Sequence, residues 1–211
     1  MSVCKGIIVN RPYIVQVVSL GCAKNFVDTE VICGGLAADG VLLSPDREDA
    51  DLVLVNTCGF IEDARREADR EIRDALSWKR RKRGRAVMVA GCLPRRLREK
   101  AEELYPEVDL FLGLDDVGRA AELVRALRNR ATDGRNLPPD HMPTYLYDHT
   151  APRLALTPAS YGYVKIGEGC DHRCAYCIIP DIRGRQRSRS IDSVVEECRQ
   201  LLDQGRLELD L

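Results

Sequence analysis

This 211-residue chain has no long apolar run, almost no net charge, and no leader is expected from its first residues. No apolar stretch approaches the roughly 18 residues that a membrane-spanning helix needs. The start, "MSVCKGIIVNRPY", has neither a sustained hydrophobic segment nor a small-residue cleavage site, so no secretory signal is read there. Lysine and arginine total 32 against 33 acidic residues, a balance of −1. That excludes a protein that coats nucleic acid along its length, although local patches remain open. Neither a membrane nor direct nucleic-acid binding is expected, and the expected location is cytoplasmic. What the chain does have is cysteine, nine of them, an odd number. In a reducing compartment, cysteines in quantity point to metal or catalysis more than to disulfides.

The first 130 residues alternate short β-branched runs with helically spaced segments. The runs are "YIVQVVS" (13–19), "VLL" (41–43), "DLVLVN" (51–56), "AVMVA" (86–90) and "DLFLG" (109–113). The clearest helix is expected from Ile61 to Arg80, with Ile61, Ala64, Ala68, Ile72 and Leu76 on one face. Acid in its first turn, "KRRKR" at its end and Gly84 as its stop follow the order that the helix dipole favours. Such alternation predicts an α/β fold: a parallel five-stranded sheet with helices on both faces, over residues 1–130. Residues 131–160 carry five prolines and no periodicity, and read as a linker. From 161 to 211 the chain offers a strand (161–166), a cysteine-rich loop, a helix with Ser190 as N-cap and Gly205 as stop, and the opening of another strand. One such unit cannot close a core alone, so the second domain is expected to be incomplete.

In "EGCDHRCAYCIIP", Cys170, Cys174 and Cys177 are spaced C-x3-C-x2-C, and no fourth cysteine follows. Zinc would need a fourth ligand; His172 is at hand, but so tight a loop disfavours a tetrahedron. A disulfide with a spare thiol conflicts with the compartment. Three thiolates suit an iron–sulfur cubane better, leaving one iron open. A second set, Cys22, Cys58 and Cys92, lies at gaps of 36 and 34 residues, each just past a predicted strand. The carboxyl ends of parallel strands share one edge, where ligands bind in open α/β sheets. The bland alternative is three buried small hydrophobes. Cys4, Cys33 and Cys198 are read as packing or plain exposure.

The spacing, with Tyr176 before the third cysteine, resembles the cluster motif of radical S-adenosylmethionine enzymes. "SLGCAKNFVDTE", "VNTCGFIEDA", "VAGCLPRR" and "GCDHRCAYCIIPDIRGRQRSR" are similar in order and spacing to the methylthiotransferases, over about residues 13–205. The wording looks like the RimO-type, ribosomal-protein branch rather than the branch acting on tRNA adenosine. The resemblance implies two 4Fe–4S clusters and S-adenosylmethionine. Cys170, Cys174 and Cys177 would hold the radical cluster, Cys22, Cys58 and Cys92 the auxiliary one, and Tyr176 would contact the cofactor. It implies methylthiolation of the β-carbon of an aspartate in small-subunit ribosomal protein twelve, and an electron-donor protein as a further partner. It also implies that residues 161–211 open a (β/α) barrel that this chain does not complete. A non-catalytic cluster-carrying or docking module is the competing reading.

Three lesser signals remain. Arg183, Arg185, Arg187 and Arg189 are read either as partners for cofactor or acidic-peptide carboxylates or as a solvated loop. "KRRKRGR" (79–85) reads as a helix-capping run rather than a nucleic-acid patch. Asn25, Asp28 and Asn56 lie in the matched motifs; taken alone they read as helix-start residues.

Overall fold

The computed structural model describes residues 11–129 and 141–211. Cys4 lies outside them, as does most of the first half of the expected linker. The first domain runs β1 (Ile14–Ser19), α1 (Ala23–Ala38), β2 (Leu42–Leu43), β3 (Leu52–Thr57), α2 (Glu62–Arg80), β4 (Ala86–Gly91), α3 (Cys92–Leu97), α4 (Lys100–Leu104) and β5 (Leu110–Leu112). A 3-10 turn (Leu114–Arg119) and α5 (Ala120–Arg128) follow. All strand pairs are parallel and the order is β2-β1-β3-β4-β5.

The strands alternate their side chains between two apolar layers. Leu52, Leu54, Met88, Leu110 and Leu112 pack with Val27, Val31 and Leu36 of α1 and Val124 of α5. Val53, Val55, Val87, Val89 and Phe111 pack on the other face with Ala68, Ile72, Leu76 and Trp78 of α2. Central strands covered on both faces have no polar side to show. Hence β4 and the first four residues of β3 read as apolar runs, and all six residues of each strand are buried, Asn56 and Thr57 included. The expected α/β architecture is the observed one. The buried face of α2 starts later than its spacing suggests: Ile61 is 53% exposed at the N-cap, and burial begins at Ala68.

Four cations of the basic run at the end of α2 are spent on ion pairs. Lys79 meets Asp109, Arg80 meets Glu107, and Arg81 and Arg85 meet Glu48. These lie at the amino ends of the strands, on the edge opposite the cysteines.

The second segment comprises β6 (Tyr161–Tyr163), β7 (Gly167–Glu168), α6 (Ile179–Arg183), β8 (Arg187–Ser188), α7 (Ile191–Asp203) and β9 (Glu208–Asp210). β6 pairs in parallel with β9 across α7, and β7 pairs antiparallel with β8. The strand expected over 161–166 is shorter, ending at Tyr163: Lys165 turns its side chain into a buried ion pair, and the next strand starts at Gly167 with a different partner. Ser190 caps α7 as expected, accepting from the Ser193 N–H at 3.3 Å. Ser190→Ala is expected to cost about 1 kcal/mol in urea unfolding.

A two-stranded pair is marginal by itself; here it leans on the first domain. Residues 141–160 have neither helix nor strand, yet they are packed down. The Leu154 N–H reaches the Glu30 carbonyl at 3.0 Å, and the Thr144 and Tyr145 N–H groups both donate to Asp115 at 2.6 Å. Arg153 joins Glu30 of α1 to Glu197 of α7. Tyr147 is buried and donates to the Glu197 carboxylate at 3.0 Å. Phe26 of α1 meets Tyr163 of β6 edge-on at 6.1 Å.

Candidate functional site: two cysteine triads joined by a buried ion-pair cluster

In the order 2-1-3-4-5 the winding reverses between β1 and β3, and the crevice outside the carboxyl ends at that point is where such sheets bind ligands. Cys22 follows β1 as the N-cap of α1, Cys58 follows β3, and Cys92 opens α3 directly after β4. These three strands are adjacent in the sheet. The loops press together: a Cβ added to Gly21 would lie 2.8 Å from the Cys58 Cβ, and one added to Gly59 would lie 3.0 Å from the Cys92 carbonyl oxygen. Gly21 also has a φ of +99°, open to glycine at little cost.

Cys22 is exposed, Cys58 half-buried and Cys92 buried. Burial pushes the Cys92 thiol up to about 11, while the Arg183 charge pulls the other way. Cys33 is also buried, and its thiol is pushed up to about 12 by burial and then by Glu30, as befits an inert packing residue.

Cys170, Cys174 and Cys177 line one cavity of about 510 Å³, with His172, Arg173 and Arg185 among its walls. Their loop is closed at its neck by β7 and β8, and the Cys170 N–H donates to the Gly184 carbonyl at 3.1 Å. Tyr176 is 88% exposed and does not line this cavity.

Among the described residues, no three His, Cys, Asp or Glu side chains close around a single metal ion. Each triad instead suits a group that accepts its thiolates on separate metal atoms, as a cubane does. Neighbouring strands lie about 4.8 Å apart, so ligands on three adjacent strand ends are spread too widely for one ion. Three thiolates, at the edge of a sheet or around one cavity, are a donor set that fits an iron–sulfur cluster.

Between the triads lies a cluster that spacing alone does not reveal. Asp28 of α1 accepts from Lys165 and from both terminal nitrogens of Arg183, the latter at 3.3 Å. Glu168 of β7 accepts from the same two residues at 3.0 and 2.7 Å. Asn25 accepts from Arg183 at 3.3 Å, and Lys24 donates to the Gly167 carbonyl at 2.7 Å. All four charged side chains are at most 7% exposed. Burial works against the Glu168 carboxylate, but Lys165 and Arg183 outweigh it and bring its pKa down to about 2.

So Asn25 and Asp28 do more than start a helix; they receive the second segment. Asn56 ends β3 and donates to the Asn25 carbonyl at 2.8 Å, holding the start of α1. The arginine-rich loop divides as well. Arg183 and Arg189 are buried on the chain's own carboxylates, whereas Arg185 is solvent-facing beside Asp171. Neither the reading as cofactor partners nor that as a solvated loop describes Arg183 and Arg189.

Residues 14–113 match the model described as "Uncharacterized protein family UPF0004". The chain is 46% identical over 197 residues to "Ribosomal protein uS12 methylthiotransferase RimO" of Syntrophotalea carbinolica and 47% identical over 191 residues to the protein of that name from Heliobacterium modesticaldum. By sequence the chain is thus similar to the amino-terminal part of proteins bearing that name. These alignments cover 93% and 90% of this chain but 43% and 41% of the relatives. The chain therefore spans less than half the length of the curated relatives it matches. Its backbone also resembles a radical S-adenosylmethionine methyltransferase, TsrM, from Kitasatospora setae, at a TM-score of 0.59 and 20% identity, over 93% of this chain and 46% of that one. That likeness supports the fold.

Proposed function

We propose that this chain carries the cluster-binding part of a methylthiotransferase that modifies an aspartate β-carbon of ribosomal protein uS12. The observation that carries the reading is the arrangement of the cysteines. One triad sits on three adjacent strand ends at the binding edge of the sheet, and the other lines a single cavity. The name of the relatives supplies uS12 as the substrate, and the resemblance of the cysteine motifs supplies the aspartate. When bound to a reduced cluster, S-adenosylmethionine supplies a radical able to remove hydrogen from an unactivated carbon.

Within that reading, Cys170, Cys174 and Cys177 hold the radical cluster and leave one iron open to the cofactor. Cys22, Cys58 and Cys92 hold the auxiliary cluster, next to the sulfur to be transferred. Residues 1–130, 131–160 and 161–211 act as sheet domain, connector and start of the radical domain. The docked residues 141–160 and the Asp28–Arg183 cluster hold the triads at the separation that transfer to a short-lived carbon radical demands. Tyr176, which precedes Cys177 and is exposed, would turn to contact the cofactor. An electron-donor protein completes the set of partners.

The test is anaerobic reconstitution followed by iron and sulfide analysis. About eight irons per chain are expected, falling to about four when Cys22, Cys58 and Cys92 are all replaced by alanine. S-adenosylmethionine is expected to change the spectrum of the cluster that remains. Four irons in the parent chain, unaffected by that triple replacement, would remove the auxiliary assignment.

A further inference from the structure

The backbone on either side of Cys58 is tied to the turns of Cys22 and Cys92 by two side chains, Asn56 and Arg96. Asn56, two residues before Cys58, is 1% exposed. Its amide nitrogen donates to the Asn25 carbonyl and to the Thr29 hydroxyl, both at 2.8 Å. Asn25 in turn donates to the Leu20 carbonyl at 2.6 Å, and the Leu20 N–H returns to the Asn56 carbonyl at 2.9 Å. That circuit closes around the Cys22 turn, from Leu20 to Asn25. The amide oxygen of Asn56 lies against Gly91, the residue before Cys92, where an added Cβ would be 2.4 Å from it. Arg96 works on the far side of Cys58. It lies four residues after Cys92, one turn along the same face of α3. One of its terminal nitrogens donates to the Gly59 carbonyl at 2.6 Å and to the Phe60 carbonyl at 3.0 Å.

We propose that Asn56 and Arg96 are positioning residues for the first triad: they hold the backbone flanking Cys58 against the turns of Cys22 and Cys92, so that the three thiols are gathered before a cluster arrives and cannot part once it has. The inference rests on the cluster reading above and adds to it what keeps the donor set together. The three cysteines stand on different strands, and each turn carries a glycine, Gly21, Gly59 or Gly91, that lets backbones approach closely but resists disorder least. Strand pairing ends at Asn56 in β1–β3 and at Thr57 in β3–β4, before the cysteines are reached. Beyond those points, side chains must supply the restraint. A thiolate that leaves its iron returns quickly when its backbone is fixed, because its effective concentration stays high. When the backbone swings away, a competing ligand takes the metal. Arg96 carries the stronger half of the brace, since a charged donor bonds a carbonyl more tightly than a neutral one.

The deciding experiment uses the full chain with Cys170, Cys174 and Cys177 replaced by alanine, so that the first triad alone is loaded. After anaerobic reconstitution, iron release to an excess of a ferrous chelator is followed by absorbance, alongside urea midpoints of the metal-free proteins. Arg96→Met keeps the stem and removes both bonds; it is expected to release iron at least about tenfold faster than the parent, the factor carried by one charge-assisted hydrogen bond. Arg96→Lys is expected to recover part of the loss, because both bonds come from a single nitrogen. Asn56→Ala is expected to act in the same direction as Arg96→Met. Ile72→Val, which lowers stability from the core beneath α2, should release iron at the parent's rate. With Cys22, Cys58 and Cys92 replaced instead, Arg96→Met should leave the release rate of the remaining cluster unchanged. Equal rates in the parent, Arg96→Met and Asn56→Ala, with about four irons in each, would overturn the inference while leaving the cluster reading intact. Acceleration by Ile72→Val as large as that by Arg96→Met would also overturn it, since the bonds would then act through stability alone. Absence of iron from the parent would overturn both readings. If Asn56→Ala fails to fold, the half-buried Arg96 decides, and a rate for Arg96→Met identical to the parent's counts against the proposal.

Discussion

Glu197→Ala is expected to destabilise the chain by about 3–5 kcal/mol, the range for removing one partner of a buried ion pair. Glu197 sits on α7 with its side chain 4% exposed, and it holds two arginines at once. Arg153 donates to it at 2.6 Å, and Arg189 donates to its other oxygen. The Tyr147 hydroxyl bonds to the same carboxylate at 3.0 Å, and its ring lies 4.5 Å from the Arg189 guanidinium. Arg153 would keep Glu30 after the change. Arg189, whose side chain is 1% exposed, would keep only the Lys165 and Ser193 backbone oxygens and the Ser193 hydroxyl. A buried guanidinium without a counter-charge is the source of the cost. Domains of this size are stable by about 5–15 kcal/mol, so the loss is a large share of the whole. Glu197→Gln keeps hydrogen-bonding capacity without the charge and is expected to lose less. Urea unfolding midpoints of the two variants check this; a loss below about 1 kcal/mol for Glu197→Ala would show that solvent reaches Arg189 freely.

The pattern of what could be read in advance follows from what local sequence encodes. β3 and β4 were legible because strands covered on both faces must be apolar throughout, and no other arrangement suits "DLVLVN" beside "AVMVA". The placement of Cys22, Cys58 and Cys92 at one edge followed from parallel strands alone; their adjacency needed the order 2-1-3-4-5, which no periodicity announces. Tyr147 and Arg153 were invisible for a related reason. A proline-rich stretch without periodicity reads as a tether, and nothing local records that Arg153 will bridge Glu30, 123 residues away, to Glu197. The same holds for Asp28 with Lys165 and Arg183, at separations of 137 and 155 residues. A lone acid early in a helix ordinarily faces water and favours the positive end of the dipole. Four ionisable residues buried together violate the patterning that makes sequences readable, and such violations gather where function constrains the chain.

Gly169→Ala is expected to remove one cluster and spare the other. Gly169 precedes Cys170 with a φ of +76°, in the left-handed region where a side chain costs about 1–3 kcal/mol. Space is the harder limit. A Cβ there would lie 2.1 Å from the Arg185 carbonyl oxygen and 2.5 Å from that of Gly184. Both obstacles are backbone on the returning side of the loop, so no rotamer change relieves them. The neck must open, which breaks the bond from the Cys170 N–H to the Gly184 carbonyl and spreads the three thiols apart. The first-domain triad stands on β1, β3 and β4 and shares no backbone with this neck. Iron in reconstituted Gly169→Ala is therefore expected to fall from about eight towards about four per chain, the figure for one remaining 4Fe–4S cluster. The spectral response to S-adenosylmethionine should disappear with the lost irons, while Gly40→Ala, at a positive-φ position with open space around it, should keep both clusters. Full iron loading in Gly169→Ala would mean that the loop holds its cluster without the closed neck. Clusters would then order the loop, rather than the loop preorganising the clusters.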